Sequence, residues 1–441
     1  MTRFSRIQFY LNRLGEKLWL LPLIYCAGAV AVPLLARLAD DTGLGDWVPE
    51  IDPGTLRQLL QIMATTMLAV ATFAVSSMVG AYNSASQAAT PRAFRLVVAD
   101  DRSRNALSTF IGAFIFGVVG LVAVRIGIYG PAGNFVFFLI TLGVLVGVVL
   151  TFVYWLDTIA RLGRMGETIS RVESAAAQAF ADRRREPRLG GRPVEPGQDP
   201  GRPIEAGRIG YVQYVDIARL QRSAKAADLR LTLTALPGKF VAPGQPLLHV
   251  ARDWTMRGEV PKDEVDEADL RAAFVIGVER SFDQDPRFGL VVLSEIAGRA
   301  LSPGINDPGT AIAIIGSQIR LLATHAAEFT EPEADEITFD RLHVPELEWH
   351  DLLDDAFTAI ARDGATQIEV QIRLQKALAI LGRTQSAALT EAAESFAARA
   401  LARADLALEL DDDRRRVRAL ASRAGVDEEE LAKEIEAADP G

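Results

Sequence analysis

The sequence predicts an α-helical membrane domain of four transmembrane helices followed by a cytoplasmic α+β domain. In that second domain a small β-rich, barrel- or sandwich-like subdomain precedes a helical one. Three observations carry this reading. Four apolar runs in the first third are each long enough to cross a hydrocarbon core, which takes about 20 helical residues. Basic and acidic loops alternate between those runs. After residue 205 the apolar pattern turns β-like, and then it returns to helical spacing. The expected boundaries are 1–160 for the spans and 161–204 for a juxtamembrane helix and Pro/Gly-rich linker. They continue as 205–260 for the β-rich part, 261–410 for the helical part and 411–441 for a charged tail.

The chain has 441 residues, 49% of them hydrophobic and 24% charged, with a net charge of −10. That negative balance argues against nucleic-acid binding. The spans are placed at 18–38, 55–81, 107–129 and 133–156. The last two are joined by a Gly-Pro-Ala-Gly turn and form a helical hairpin. Arg3, Arg6, Arg13 and Lys17 precede the first span, and Asp40, Asp41, Asp46, Glu50 and Asp52 follow it. Arg92, Arg95, Arg102 and Arg104 fill the second loop, and Arg161, Arg164, Arg171 and the run Arg183 to Arg185 follow the fourth span. Lys and Arg mark the cytoplasmic side, so both termini are expected there, in a multi-pass protein of the bacterial inner membrane. The first apolar core is longer than that of a signal peptide and reads as a retained anchor. The single Cys26 lies within it, which excludes a disulfide framework and a Cys-based zinc site.

Beyond the spans, 157–181 keeps a helical apolar spacing, and "REPRLGGRPVEPGQDPGRP" reads as a flexible linker or long loop. "RIGYVQYV", "LRLTLTAL" and "PLLHVA" read as strands, "DIARLQRSAKAAD" as a helix capped by Asp216, and "PGKFVAPGQPLL" as a Gly-bounded hairpin. The last stretch has the flavour of biotinyl and lipoyl carrier domains. It lacks their lysine in an exposed turn, so carrier function is excluded. From Asp263 the chain reads as helical. Asp285-Pro286 and Asp307-Pro308 each set an N-cap acid before a proline at the first helical position. Helical patterns resume at 352–360, 369–381 and 387–410, and the tail after Asp411 reads as charged and frayed.

The four apolar spans, "GYVQYVD", "QDPRFGL" and above all "RALSPGINDPGTA" resemble an uncharacterised bacterial family of predicted membrane proteins, domain of unknown function 2254. The resemblance covers roughly residues 5 to 385. It implies an inner-membrane protein with a cytoplasmic domain, and it implies no reaction, ligand or catalytic residue.

Two places carry candidate function. On the second span Thr65, Ala69, Thr72, Ser76 and Gly80 share one helical face, with Asn83 just beyond. Such a face allows close helix packing or lines a wet pathway. Ala113/Gly117 and Gly143/Gly147 are small-x-x-x-small pairs and read as packing faces. No acid, lysine or histidine lies in mid-span, which argues against a proton relay. The second place is "ALSPGINDPGT" at 300–310. Pro303, Gly304, Asp307 and Pro308 are explained as a turn and a cap. Ser302, Asn306 and Thr310 remain, beside Arg280, Asp283 and Asp285 upstream, as a candidate effector or interface site. Helix N-termini attract anions, whereas clustered carboxylates attract cations. In "HVPELEWH" the spacing of His343, Glu346, Glu348 and His350 breaks any clean ligand face, so no metal is assigned there.

The expected function is an oligomeric channel or pore-like transport protein, gated or assembled by its cytoplasmic domain. The alternative is a membrane-anchored sensor or scaffold without transport. A membrane enzyme holding a metal on Asp283, Asp285 or Asp307 is the third reading. No cofactor and no catalytic residue are assigned. The expected partners are the lipid bilayer, further copies of the chain, and an ion or small anion.

Overall fold

A computed structural model of the chain describes residues 20–42, 47–88, 90–98, 101–161, 164–197, 200–252, 265–327 and 337–425. The N-terminal basic residues, Asp46, Asp263 and the tail beyond residue 425 lie outside them. The chain divides into two compact units that meet between Thr168 and Ile169.

The first unit is helical. Its helices are α1 (Leu20–Ala36), α2 (Pro53–Ala88), α3 (Pro91–Val98), α4 (Asp101–Ile126) and α5 (Pro131–Arg161). Three of them are long and apolar enough to cross a membrane, over Pro53–Ser84, Arg102–Ile126 and Pro131–Ala160. The expected first span is described as a helix of 17 residues, with an apolar stretch at Leu23–Val32. Among the described residues three helices therefore reach spanning length, not four. Leu60, Met63 and Met67 of α2 pack against Phe110, Ala113 and Phe116 of α4, with Phe137 and Trp155 of α5 closing the core. Gly117 lets α2 come close to α4. A Cβ there would lie 3.1 Å from Ala64 of α2. The pair Ala113/Gly117 is thus a packing face. Among the described residues Gly143 and Gly147 have nothing within 4 Å of an added Cβ, so no packing face is seen there.

Two of the acids that follow the first expected span are helix caps. Asp40 accepts hydrogen bonds from the N–H groups of Gly130 (2.8 Å) and Gly133 (2.7 Å) at the start of α5. Asp52 accepts from the Thr55 N–H at 3.0 Å, opening α2. Each satisfies donors that the first turn of a helix leaves without partners.

The second unit begins within α6 (Met165–Arg185). The strands that follow are β1 (Gly191–Arg192), β2 (Arg202–Glu205) and β3 (Gly210–Val215). Then come α7 (Ile217–Ala226), β4 (Leu229–Leu233), β5 (Phe240–Val241), β6 (Pro246–Arg252), α8 (Glu267–Ala272) and β7 (Phe274–Gly277). The helical part holds α9 (Pro286–Ala300), α10 (Pro308–Ala326), α11 (Trp349–Asp363), α12 (Ile368–Leu381), α13 (Ala387–Ala407) and α14 (Asp411–Ala421), with β8 (Phe339–His343) between α10 and α11.

The strands form two open sheets, in the orders β1-β8-β4-β6-β2 and β5-β3-β7, so there is no closed barrel among the described residues. β4 and β6 run antiparallel with Leu231 opposite Val250, and β8 joins β4 in parallel. Several expectations are corrected here. The stretch read as a linker carries β1 and β2, and its Leu189 belongs to the sheet core. The expected hairpin does not form, because β5 pairs with β3 while β6 pairs with β4 and β2. The region after Asp263 supplies strands β7 and β8 as well as helices. The first part of the expected tail, Asp411–Ala421, is a helix that buries Val417 and Ala421, and the tail beyond residue 425 lies outside the described residues.

In the helical part α6 lies against α9, where a Cβ on Gly289 would fall 2.2 Å from that of Ala176. The buried Gln318 amide donates to the Leu290 carbonyl at 3.0 Å and so ties α10 to α9. A second tie is ionic. Arg320 of α10 grips Glu173 of α6 at 2.6 and 2.7 Å, and Ser317 donates to the same carboxylate at 2.7 Å. Those donors hold the Glu173 carboxyl below the usual range.

Candidate functional site

Helix α2 presents its small and hydroxyl residues outward. Thr65, Ala69, Thr72, Ser76, Gly80 and Asn83 are all exposed in the single chain. The core side of the same helix is a separate row, from Leu56 and Leu60 to Ala71 and Ala74. From Thr65 to Asn83 the stripe runs about 27 Å at 1.5 Å per residue, close to the thickness of a hydrocarbon core. Its hydroxyls donate to their own helix. Thr65 bonds the Gln61 carbonyl at 2.8 Å, Thr72 that of Leu68 at 2.9 Å and Ser76 that of Thr72 at 3.0 Å. The oxygen lone pairs stay available on the outward face.

The seven effector or interface candidates do not form one site. Arg280, Asp283 and Asp285 sit before α9, whereas Ser302, Asn306, Asp307 and Thr310 sit after it. The 15 residues of α9 separate the two groups by about 22 Å of helix rise.

At the first end Asp285 is the N-cap of α9 and only 1% exposed. Arg280 grips its carboxylate through Nε at 2.7 Å and Nη2 at 2.9 Å, and the Phe288 N–H donates to it at 3.2 Å. The guanidinium also lies 5.3 Å from the Phe288 ring. Burial pushes the Asp285 carboxyl upward, and Arg280 and the Phe288 N–H pull against it. Gly238, at φ 93°, comes in over the same carboxylate, where a Cβ would sit 2.4 Å from Oδ2. Asp283 is occupied by the Ser281 hydroxyl.

At the second end Asp307 caps α10 and is exposed. It accepts from the Thr310 hydroxyl at 2.6 Å and the Thr310 N–H at 3.1 Å. Those two donors hold its carboxyl below the usual range. The left-handed residue of the turn is Asn306, at φ 50°, and not Gly304. Asn306 accepts from the Gln367 amide at 2.8 Å, and Ser302 donates to the Arg299 carbonyl at 2.7 Å. Every polar side chain singled out in this loop has a partner inside the fold.

The histidines fall apart in the same way. His343 is buried at the end of β8 with Nδ1 2.9 Å from the Pro193 carbonyl, while His350 is exposed on α11. Glu346 is engaged by Arg188 at 2.6 Å. Among the described residues no three His, Cys, Asp or Glu side chains gather as a metal-holding group.

The sequence reading passed over one place. Arg183, counted only as part of a basic run, is 6% exposed inside the second unit. His325 sits across from it, its ring 4.9 Å from Phe180 and 5.4 Å from Trp349. The available signal was helical spacing. Phe180, Arg183 and Arg184 stand at i, i+3 and i+4 on α6 and so share a face.

Residues 15–380 match the family described as Predicted membrane protein (DUF2254). Relatives from Mycobacterium tuberculosis and Mycobacterium bovis, each described as an uncharacterized protein, are 28% identical over 330 residues. That match covers 71% of this chain and 61% of theirs, less than two thirds of the relatives' own length. No solved structure matches the chain.

Proposed function

The chain belongs to this family of predicted membrane proteins, and from that premise we propose that it assembles as a homo-oligomeric channel of the bacterial inner membrane. In this reading the apolar run at 18–38 is a fourth span. Both termini and the unit from residue 169 onward are cytoplasmic, following the alternation of basic and acidic loops. Copies of α2 surround the axis, and the cytoplasmic unit assembles or gates them. No catalytic step is part of the proposal.

The observation that carries it is the outward stripe on α2. Five small or hydroxyl residues, with Asn83 just beyond, face away from the chain's own core over about 27 Å, while the core side of the helix is apolar. Lipid gains nothing from such a face. Another copy, or water, does.

Each hydroxyl also bonds a carbonyl of its own helix. That favours a second reading, an anchor and scaffold in which the same stripe packs helix on helix without conducting. Single-channel current in a planar bilayer separates the two, with Thr72→Leu/Ser76→Leu beside the wild type. The channel reading expects discrete steps that the double variant abolishes or reduces severalfold. Folded oligomer with no current at any voltage, tension or salt leaves the scaffold.

A further inference from the structure

Arg183 is the buried charge that the rest of the fold leaves unexplained. It stands on α6, and its Nη1 is buried with no hydrogen-bond partner among the described residues. Burial draws its guanidinium down to about 10, and Asp285 supplies the opposing pull. The Asp285 oxygens already accept from Arg280 and from the Phe288 N–H, so Asp285 attracts Arg183 without giving it a hydrogen bond. The neighbouring acid on its own helix, Asp182, is bonded to Arg185 at 3.0 Å.

A second buried nitrogen without a partner lies on the same side. It is Nδ1 of His325, whose ring stands between Phe180 and Trp349. Burial, and then the charges of Arg183 and Arg184, press the His325 ring down to about 4. At neutral pH it is therefore an uncharged imidazole with one N–H to donate. Arg184 is different, because its Nη1 donates to the Thr324 carbonyl at 2.5 Å near the end of α10.

Native folds rarely leave buried polar atoms without partners, and an uncompensated buried charge is more costly still. A water molecule would answer the hydrogen bonds but not the charge. Asp285 is the one carboxylate that acts on Arg183, and it is shared with Arg280 and Arg287, while Arg183 and Arg184 both act on the His325 ring. A planar guanidinium matches the two oxygens of an oxyanion.

We propose that Arg183 and His325 form a binding site for a small oxyanion the size of phosphate or sulfate. The anion accepts hydrogen bonds from the Arg183 guanidinium and from the His325 ring N–H. The site lies within the second unit, and it does not depend on whether the membrane part conducts.

Trp349 is a built-in reporter, since its ring contacts His325. The test uses the full chain in lipid-free detergent micelles. Potassium phosphate is titrated against potassium chloride at constant ionic strength while tryptophan fluorescence is followed. The expected result is a saturable change that disappears in Trp349→Phe and in Arg183→Met. Arg183→Lys should bind at least about tenfold more weakly, having lost the paired donors, while Arg184→Met keeps the response. Should Arg183→Met fail to fold, Arg183→Lys and His325→Phe decide. A wild-type protein without saturable response overturns the proposal, as does an unchanged response in the Arg183 variants. A response seen only in nanodiscs of anionic phospholipid also overturns it, by assigning the guanidinium to a lipid headgroup.

Discussion

Asp285 and Asp307 open consecutive helices with the same Asp-Pro device and stand in opposite surroundings. Asp285 is sealed under Gly238, gripped by Arg280 and pushed upward by burial. Asp307 is open to solvent and held low by its own Thr310. The local sequence signal for both is the cap, and the cap forms in both. What differs is what arrives from elsewhere in the chain. One aspartate is the centre of a buried ionic cluster, and the other closes a surface turn. That contrast places the electrostatic weight of this region at the start of α9, not in the loop after it.

The largest expected effect comes from breaking the buried member of the pair. Arg280→Met would leave the Asp285 carboxylate buried without its bidentate partner, a loss of about 3–5 kcal/mol. The measurement is cooperative unfolding of the full chain in micelles by calorimetry. The double variant Arg280→Met/Asp285→Asn should recover much of the loss, because the uncompensated charge is gone. A single variant that melts like the wild type would mean that the ion pair is incidental, and the contrast with Asp307 would vanish.

Next comes the glycine that covers the cluster. Gly238→Ala meets two objections at once, a φ of 93° and a Cβ that would fall 2.4 Å from the Asp285 carboxylate. Left-handed strain and overpacking together give a loss of about 2–3 kcal/mol. Gly304→Ala is the matching control after α9, with no positive φ and open space around the added Cβ. It should move the melting temperature little. Equal shifts for the two glycines would show that close approach over Asp285 is not what constrains Gly238.

The exposed cap ranks below both. Asp307→Ala removes one acceptor from the first turn of α10 and should lose about 1 kcal/mol, the usual N-cap value, read by the same unfolding measurement. The size of that loss tests whether the loop at 300–310 is structural. A far larger loss would mean that Asp307 does more than cap.

What the sequence made legible here is what depends on neighbours a few residues apart. The two Asp-Pro caps, the Asp216 cap of α7, the outward face of α2 and the apolar spacing of α11 and α12 are all local. Strands β1 and β8 were missed because each is short and gains its stability from partners more than a hundred residues away. The grouping of Arg280 with Thr310 failed for a related reason. Thirty residues of chain look close on the page, but 15 of them are a straight helix. Arg183 was read as a topological charge because nothing within its own run shows that its face is covered by His325 and Trp349.

The smallest expected effect is also the sharpest, since it concerns a sign. Asp307 sits below the ordinary carboxylate value of about 3.9, so its contribution is present above that value. It is lost as pH falls through the lower, folded value. Asp285 is shifted the other way. Its contribution is complete below the ordinary value and is lost as pH rises through the raised one. Replacing each by Asn keeps the cap and removes the titration. The stability gap between wild type and Asp307→Asn, a few tenths of a kcal/mol, should shrink on going from pH 6 toward pH 3. The gap between wild type and Asp285→Asn should move in favour of the wild type over the same range. Opposite slopes in denaturant unfolding would establish that the two caps differ in burial and not in design. Parallel slopes would mean that Arg280 fully offsets the burial of Asp285, and the two aspartates would then be electrically the same device.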